Sequence, residues 1–311
     1  MRKHRYVNMD SASANSAVRR QLFRWGQDRL QHFLKRDYSE CVPNVIPDLR
    51  FLHHNRSEPS ITWIGHSTFL IQMCGLNIVT DPVWARRMAL HKRLAPPGVE
   101  LSDMPPVDVV LVSHSHYDHL HLASLRKLKG TKRLLVPAGL RSKMLVKGFR
   151  LVEELNWWEE VTLHGVKFTF VPAQHWTRRT LWDTNHSHWG GWVLESDAGP
   201  TVYFAGDSGY FRGFAEIGRR FKIDVALMPI GAYEPEWFMA PQHVSPEESL
   251  KAYMDLGADY FVPMHYGSFK LADDTPKDAL SRLEAERLRL KIPEEKIIML
   301  QHGETIRFAQ R

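Results

Sequence analysis

The sequence predicts an α/β or α+β sandwich, and three observations carry that expectation. Short apolar runs of strand length recur from Ser60 onward, they alternate with helical patterns after His119, and turn residues punctuate them throughout. At 311 residues, 43% hydrophobic and 24% charged, the chain is long enough for one large domain or two small ones with a sizeable core. The simplest division is an N-terminal segment, 1–57, followed by one domain, 58–311.

Residues 16–36 place Val18, Leu22, Trp25, Leu30 and Phe33 or Leu34 near one face of a helix, with arginines on the other. That basic side is either solvated or in contact with an anionic membrane surface. The connector "CVPNVIPDLRFLHHNRSEPS" is proline-punctuated and reads as neither helix nor strand. Then come "SITWIGH", "TFLIQ" and "LNIVTD", the last two joined by a hairpin turn at "MCG". Further strands are expected at "VDVVLVS", "KRLLVP", "VKFTFVPA", "GWVLES", "TVYFAG", "DVALMPI", "DYFVPM" and "KIIMLQ". The clearest helix is "SPEESLKAYMDLG", with Ser245 as N-cap, Pro246 in the first turn, Glu248 completing a capping box and Gly257 as the stop. A second starts in the same way from Thr275 and Pro276. No solenoid repeat or low-complexity tract interrupts the pattern.

No stretch approaches the about 18 apolar residues of a membrane span, and the N-terminus lacks the apolar segment of a secretory signal, so a cytoplasmic location is expected. Cys41 and Cys74 form no CxxC pair, which leaves any metal site to histidine and carboxylate. The formal net charge of +6 favours anionic partners weakly and identifies none.

The 17 histidines are the compositional feature to follow. His114 follows "VDVVLVS", His175 follows "KFTFVPA", Asp207 follows "TVYFAG" and His265 follows "DYFVPM". Side chains at the same end of neighbouring strands converge, so four distant segments can build one polar site at a sheet edge. In "HSHYDH" the two-residue spacing lets His114 and His116 face one side, while Asp118 and His119 can face a second metal. A carboxylate from Asp207 could bridge two such ions at the about 3.5–4 Å typical of two-metal hydrolases.

The "HSHYDH" segment at 114–119, followed in order by His175, Asp207 and His265, resembles the signature of the metallo-β-lactamase superfamily. "TWIGHSTFLIQ", "TDPVW", "VPAQHWTRR", "LWDTNHSHWGGW", "GDSGY", "PIGAYEP", "QHVSPEES" and "PMHYGSF" resemble its N-acyl phosphatidylethanolamine phospholipase D-like branch, and somewhat less its ascorbate-6-phosphate lactonase-like branch. The likeness spans about residues 60–270 and leaves out the first fifty. It implies a four-layer αββα sandwich, an α+β fold with metals at one edge.

It further implies one metal held by His114, His116 and His175, another by Asp118, His119 and His265, and a bridge through Asp207. The usual ions are two zincs, though manganese and iron suit the same donors. Asp81 resembles a partner that orients a ligand imidazole, the alternative being an aspartate that starts a turn before Pro82. His243, just ahead of the helix capped by Ser245, takes the place of a phosphate ligand or general acid, or is an ordinary residue before a helix. His66 is either near the site or a satisfied strand histidine. Arg178 and Arg179 either pair with substrate phosphate or form a solvated surface pair. His186 and His188 lack a following Asp-His and read as loop residues. Trp176, Trp182, Trp189 and Trp192 line a substrate groove or pack the core.

The implied activity is hydrolysis with metal-activated water, Asp118 orienting the nucleophile and His243 serving the leaving oxygen. A phosphodiester is the expected substrate, either a small molecule or a phospholipid such as N-acyl phosphatidylethanolamine. A lactone or other ester is the alternative. Nuclease action is disfavoured, because no long basic insertion separates His119 from His265, and nucleic acid is not an expected partner. Di-iron redox relatives generally carry an acidic residue where this chain has His116. Peripheral membrane association through the N-terminal helix is a further expectation.

Overall fold

The computed structural model of the protein describes residues 4–10, 42–88 and 91–310. The helix expected at 16–36 lies outside the described residues. The connector departs from expectation, because it holds a helix, α1 (Leu49–His54). The Asp48 carboxylate accepts the Phe51 N–H at 2.9 Å, and Leu52 is fully buried. Pro47 precedes the cap, where proline does not oppose a helix, so one short capped helix is hidden in a proline-rich stretch.

The strands and helices follow in chain order. They are β1 (Ser60–Gly65), β2 (Thr68–Met73), β3 (Leu76–Thr80), β4 (Arg87–Met88), β5 (His91–Lys92), β6 (Val109–Leu111), α2 (Leu122–Lys127), β7 (Arg133–Pro137), α3 (Arg141–Val146), β8 (Val152–Leu155), β9 (Glu160–Leu163), β10 (Val166–Val171) and β11 (Gly191–Glu195). The remainder are β12 (Val202–Phe204), α4 (Gly213–Arg220), β13 (Val225–Pro229), α5 (Glu236–Met239), α6 (Pro246–Leu256), β14 (Tyr260–Met264), α7 (Pro276–Arg289) and β15 (Thr305–Arg307). One sheet has the order β15-β1-β2-β3-β6-β7-β8, the other β14-β13-β12-β11-β10-β9, and β4 and β5 form a separate ribbon.

Burial follows the strand period of two. Ile71, Ile78, Val109 and Leu111 face the core shared with the second sheet, whereas Leu70, Val79, Val110 and Val112 face Leu52, Leu125 and Met144 of α1, α2 and α3. On the far side of the second sheet, Phe214 and Ile217 of α4 and Leu250 of α6 join the same core. The layers are therefore αββα, the α+β sandwich that was expected.

Strand direction fixes where the site can lie. β12, β13 and β14 are parallel, and β10 and β12 both run antiparallel to β11, so β10, β12 and β14 point the same way. Their C-terminal ends share one edge. β3 and β6 are likewise parallel in the first sheet.

Two expectations fail at the periphery. "KIIMLQ" is not a strand: Glu294–Lys296 is a short 3-10 turn, and Ile297 makes only an isolated bridge to Phe261. The closing strand is instead β15, paired with β1. β8 and β9 went unexpected because their charged residues, Glu153, Glu154 and Glu160, break the apolar pattern. The capping box at Ser245 and Glu248 is present in both directions at 3.2 Å, and Gly257 ends α6 in the left-handed region at φ 61°.

Candidate metal centre

Each expected ligand leaves its strand at the common edge, and the backbone there is unusual. His66, Asp81 and His265 have φ of 57°, 31° and 62°, left-handed values that non-glycine residues seldom adopt and that cluster at functional sites. Gly206, at φ 62°, precedes Asp207; a Cβ there would come within 2.6 Å of the Ser113 Cβ, so only glycine lets this turn pack beside His114.

The donors form two groups. His114 Nε2 and His175 Nε2 lie 2.9 and 3.2 Å from His116 Nδ1. In the second group Asp118 Oδ2 lies 3.3 Å from His66 Nε2, 3.4 Å from His119 Nε2 and 3.7 Å from His265 Nε2. Asp207 sits between the groups: Oδ2 is 3.1 Å from His119 Nε2, 3.8 Å from His114 Nε2 and 3.9 Å from His175 Nε2, while Oδ1 is 3.1 Å from His265 Nε2. His114, His119, His175, Asp207 and His265 are buried, and both clusters can hold a metal ion.

Hydrogen bonds behind the ligands decide which nitrogen faces the centre. Asp81 Oδ1 accepts the Ser113 N–H at 2.7 Å, and its Oδ2 accepts the Ser113 hydroxyl at 2.5 Å and the His119 Nδ1–H at 2.7 Å. Since Ser113 spends its proton on Asp81, its oxygen accepts from His114 Nδ1 at 2.9 Å. His175 Nδ1 donates to the Gln242 carbonyl at 2.9 Å. The Nε2 atoms of His114, His119 and His175 thus present lone pairs to the centre. Lone pairs gathered this closely repel one another unless a cation lies among them, so the donor set fits metal ions.

Electrostatics divide the donors: His114 and His175 shed positive charge, whereas His119 and His265, nearest the carboxylates, attract it. Burial, followed by neighbouring imidazoles, holds His114 well below the ordinary histidine range. Burial likewise lowers His175 well below it, against the pull of Asp207. Burial opposes charge on His119, but Asp207, Asp118 and Asp81 together outweigh it and raise its pKa well above that range. Burial also works against ionising Asp118 and Asp207; His119 overrides it for both, and their pKa values are depressed.

The other expected residues divide. His243 Nδ1 lies 3.9 Å from Asp207 Oδ2 without a hydrogen-bond partner, and burial pushes it down to about 4. His66 is buried against His265, ring centroids 4.1 Å apart. Arg178 stacks over Trp176, itself edge-on to His116. Trp189 and Trp192 belong to the core, and Trp182 is exposed. His188 is buried between Tyr6 and Trp157, while His186 stays in the loop outside both donor groups.

Arg179 is placed differently from the expected phosphate contact. Its Nη1 donates to the carbonyls of Ser115, His116 and Leu120 at 2.7, 3.4 and 2.8 Å, its guanidinium covers the Tyr117 ring, and the Tyr117 hydroxyl donates back to the Arg179 carbonyl. This reciprocal clamp holds the loop that carries four of the expected ligands. Arg179→Ala is expected to lower stability by about 1.5–3 kcal/mol, the range for hydrogen bonds from a charged group, and to weaken metal retention. Thermal denaturation with metal analysis checks this; unchanged melting with a raised KM would place the side chain on substrate instead.

Several contributors carried little sequence signal. Asn8 Oδ1 accepts the His175 backbone N–H at 3.1 Å and the Trp189 Nε1–H at 2.9 Å from far away in the chain. Ser113 was at least visible as the neighbour of His114. The Gln242 carbonyl could not be, because any residue supplies one.

Fold and site together define a metal-dependent hydrolase. Residues 76–266 match the family described as a beta-lactamase superfamily domain. The chain is 36% identical over 261 residues to N-acyl-phosphatidylethanolamine-hydrolyzing phospholipase D 1 of Caenorhabditis elegans, covering 76% of this chain and 73% of that one. It is 37% identical over 239 residues to the mitochondrial N-acyl-phosphatidylethanolamine-hydrolyzing phospholipase D of Saccharomyces cerevisiae, covering 71% of this chain and 51% of the yeast protein. Among solved structures, Igni18, a metallo hydrolase from the archaeon Ignicoccus hospitalis, superposes with a TM-score of 0.62 at 25% identity, covering 81% and 99% of the two chains. The chain belongs to the metallo-β-lactamase superfamily, in the branch resembling N-acyl phosphatidylethanolamine phospholipase D.

Proposed function

We propose that the protein is a two-metal phosphodiesterase of phospholipase D type, cutting a P–O bond in N-acyl phosphatidylethanolamine or a related glycerophospholipid, with zinc as the resident ion. The observation that carries this reading is the Asp207 carboxylate lying between two histidine-rich groups, the place of a ligand shared by two cations. His114, His116 and His175 would hold one ion and Asp118, His119 and His265 the other. The names of the worm and yeast relatives supply the substrate class.

When bound, the ions would supply Lewis-acid polarisation of a phosphoryl oxygen and acidify water near neutral pH. The chain does the rest. Asp81 fixes the His119 ring directly and the His114 ring through Ser113. Asp118, its carboxylate directed by His66, orients the attacking water. His243, partly exposed but with its Nδ1 buried and unpartnered, binds the phosphoryl group or passes a proton to the leaving alkoxide. Water is thereby added across the P–O bond.

Bis-p-nitrophenyl phosphate, a lactone panel and N-acyl phosphatidylethanolamine, each assayed with zinc and with manganese, test the proposal. Turnover of the phosphodiesters is expected. Strong lactone turnover without diesterase activity would make the protein an esterase or lactonase on the same site.

A further inference from the structure

We propose that the face formed by α3, the turn at 147–151 and the loop at 179–183 docks on an anionic phospholipid bilayer. This rests in part on the phospholipid reading of the site, but the surface itself is argued independently.

Two open cavities, of about 570 and 560 Å³, adjoin on this face and share Lys147. The first has an apolar floor of Leu120, Leu122, Leu140 and Met144. Exposed apolar side chains line the two cavities or directly flank lining residues in sequence: Val146 (84% exposed), Tyr117 and Leu151 line them, Leu145 precedes Val146, and Leu181 (80%) and Trp182 (83%) fall between the lining residues Thr180 and Asp183. Single exposed leucines are ordinary on a soluble surface; several gathered about one pair of adjoining cavities mark an interaction site.

The charge around the cluster identifies the partner. Arg126, Lys132, Lys143, Lys147 and Arg150 line the two cavities, and the carboxylate among the lining residues, Asp183, is tied to Lys143 at 3.2 Å. Apolar tips ringed by long cationic side chains, with a tryptophan at the lip, suit the depth profile of an anionic leaflet: hydrocarbon below, phosphates at the level of the lysines. An acidic protein would meet the cations but would also need a matching apolar hollow for Leu181 and Trp182.

The position relative to the site supports the choice. Tyr117 lines the first cavity and lies in sequence between the donors His116 and Asp118. A lipid whose phosphate reaches the metal centre would find an apolar trough beside the same loop. No helix among the described residues is long and apolar enough to cross a membrane, so this contact would be peripheral.

Flotation of the full chain with phosphatidylcholine vesicles, with and without phosphatidylserine, tests the proposal. Binding should require phosphatidylserine and weaken with salt. Leu181→Ser with Trp182→Ser, and separately Lys147→Glu with Arg150→Glu, should each lower it more than tenfold, with metal content unchanged to show that the variants fold. Undiminished binding by both variants, as when residues 11–41 supply the contact, would overturn it. So would absence of vesicle binding, including where the same variants abolish self-association or capture of polyglutamate. Flotation needs no turnover: vesicle binding without phospholipid hydrolysis would count against the phospholipase reading alone, and hydrolysis in detergent micelles without vesicle binding against this surface alone.

Discussion

Asp207→Ala is expected to release most of the bound metal and, with it, the activity. Its carboxylate lies within 4 Å of donors from both clusters, touching His119 and His265 most closely and facing His114 and His175. On the proposed two-metal reading, removing it would delete one ligand from each ion and leave two close cations without the negative charge that lets them coexist. The loss should exceed the about 10–100-fold cost of deleting a hydrogen-bond partner behind a ligand. Metal analysis of the purified variant, expected to fall well below about two ions per chain, decides the matter; a full complement would remove Asp207 from the bridging position. Asp207→Asn, which keeps the shape and drops the charge, should also lose metal and so show that charge matters beyond packing.

His243→Gln should behave in the opposite way, keeping both ions and losing turnover by about 10²–10⁴-fold if the imidazole serves as general acid. His243 lies at the rim of the donor groups, 3.9 Å from Asp207, and follows α5, where its own N–H donates to the Met239 carbonyl. It also stands with His175 and Asp207 in a third donor group, so metal content of the variant is the first measurement to make. Leaving-group dependence separates its two proposed roles. A proton donor is needed most when the leaving alkoxide is strongly basic, so the variant should lose far more rate on a glycerophospholipid than on a p-nitrophenyl ester. Equal losses on both would make His243 a phosphate ligand, and loss of metal would make it a structural residue.

Much of the donor set was legible because strand and ligand are adjacent in sequence. A buried strand reads as an apolar run, and the polar residue just beyond it is conspicuous: His114, His175, Asp207 and His265 were all found that way, and the structure brings them together. Asp81 was visible on the same ground, following β3. Arg179 was not legible in its actual role, since nothing in a sequence distinguishes a guanidinium aimed at solvent from one folded onto three carbonyls. Asn8 gave no signal, because it reaches His175 only after the chain has closed upon itself. The edge elements failed for a related reason. β8 and β9 carry glutamates on faces that pack little, and "KIIMLQ" has strand composition but receives a single bridge, so tertiary pairing, and not local preference, decided each case.

The contact from Asn8 to His175 has a consequence for how such a centre comes into being. Its parts arrive from the beginning of the chain, from the middle and from His265, so a nascent polypeptide carrying only the "HSHYDH" loop has one fragment of a coordination sphere and none of its buttresses. Ion affinity is then a property of the finished fold, and the free energy of capture reinforces that fold. Loading would act as a final check on assembly, separating complete molecules from those still being made or wrongly built.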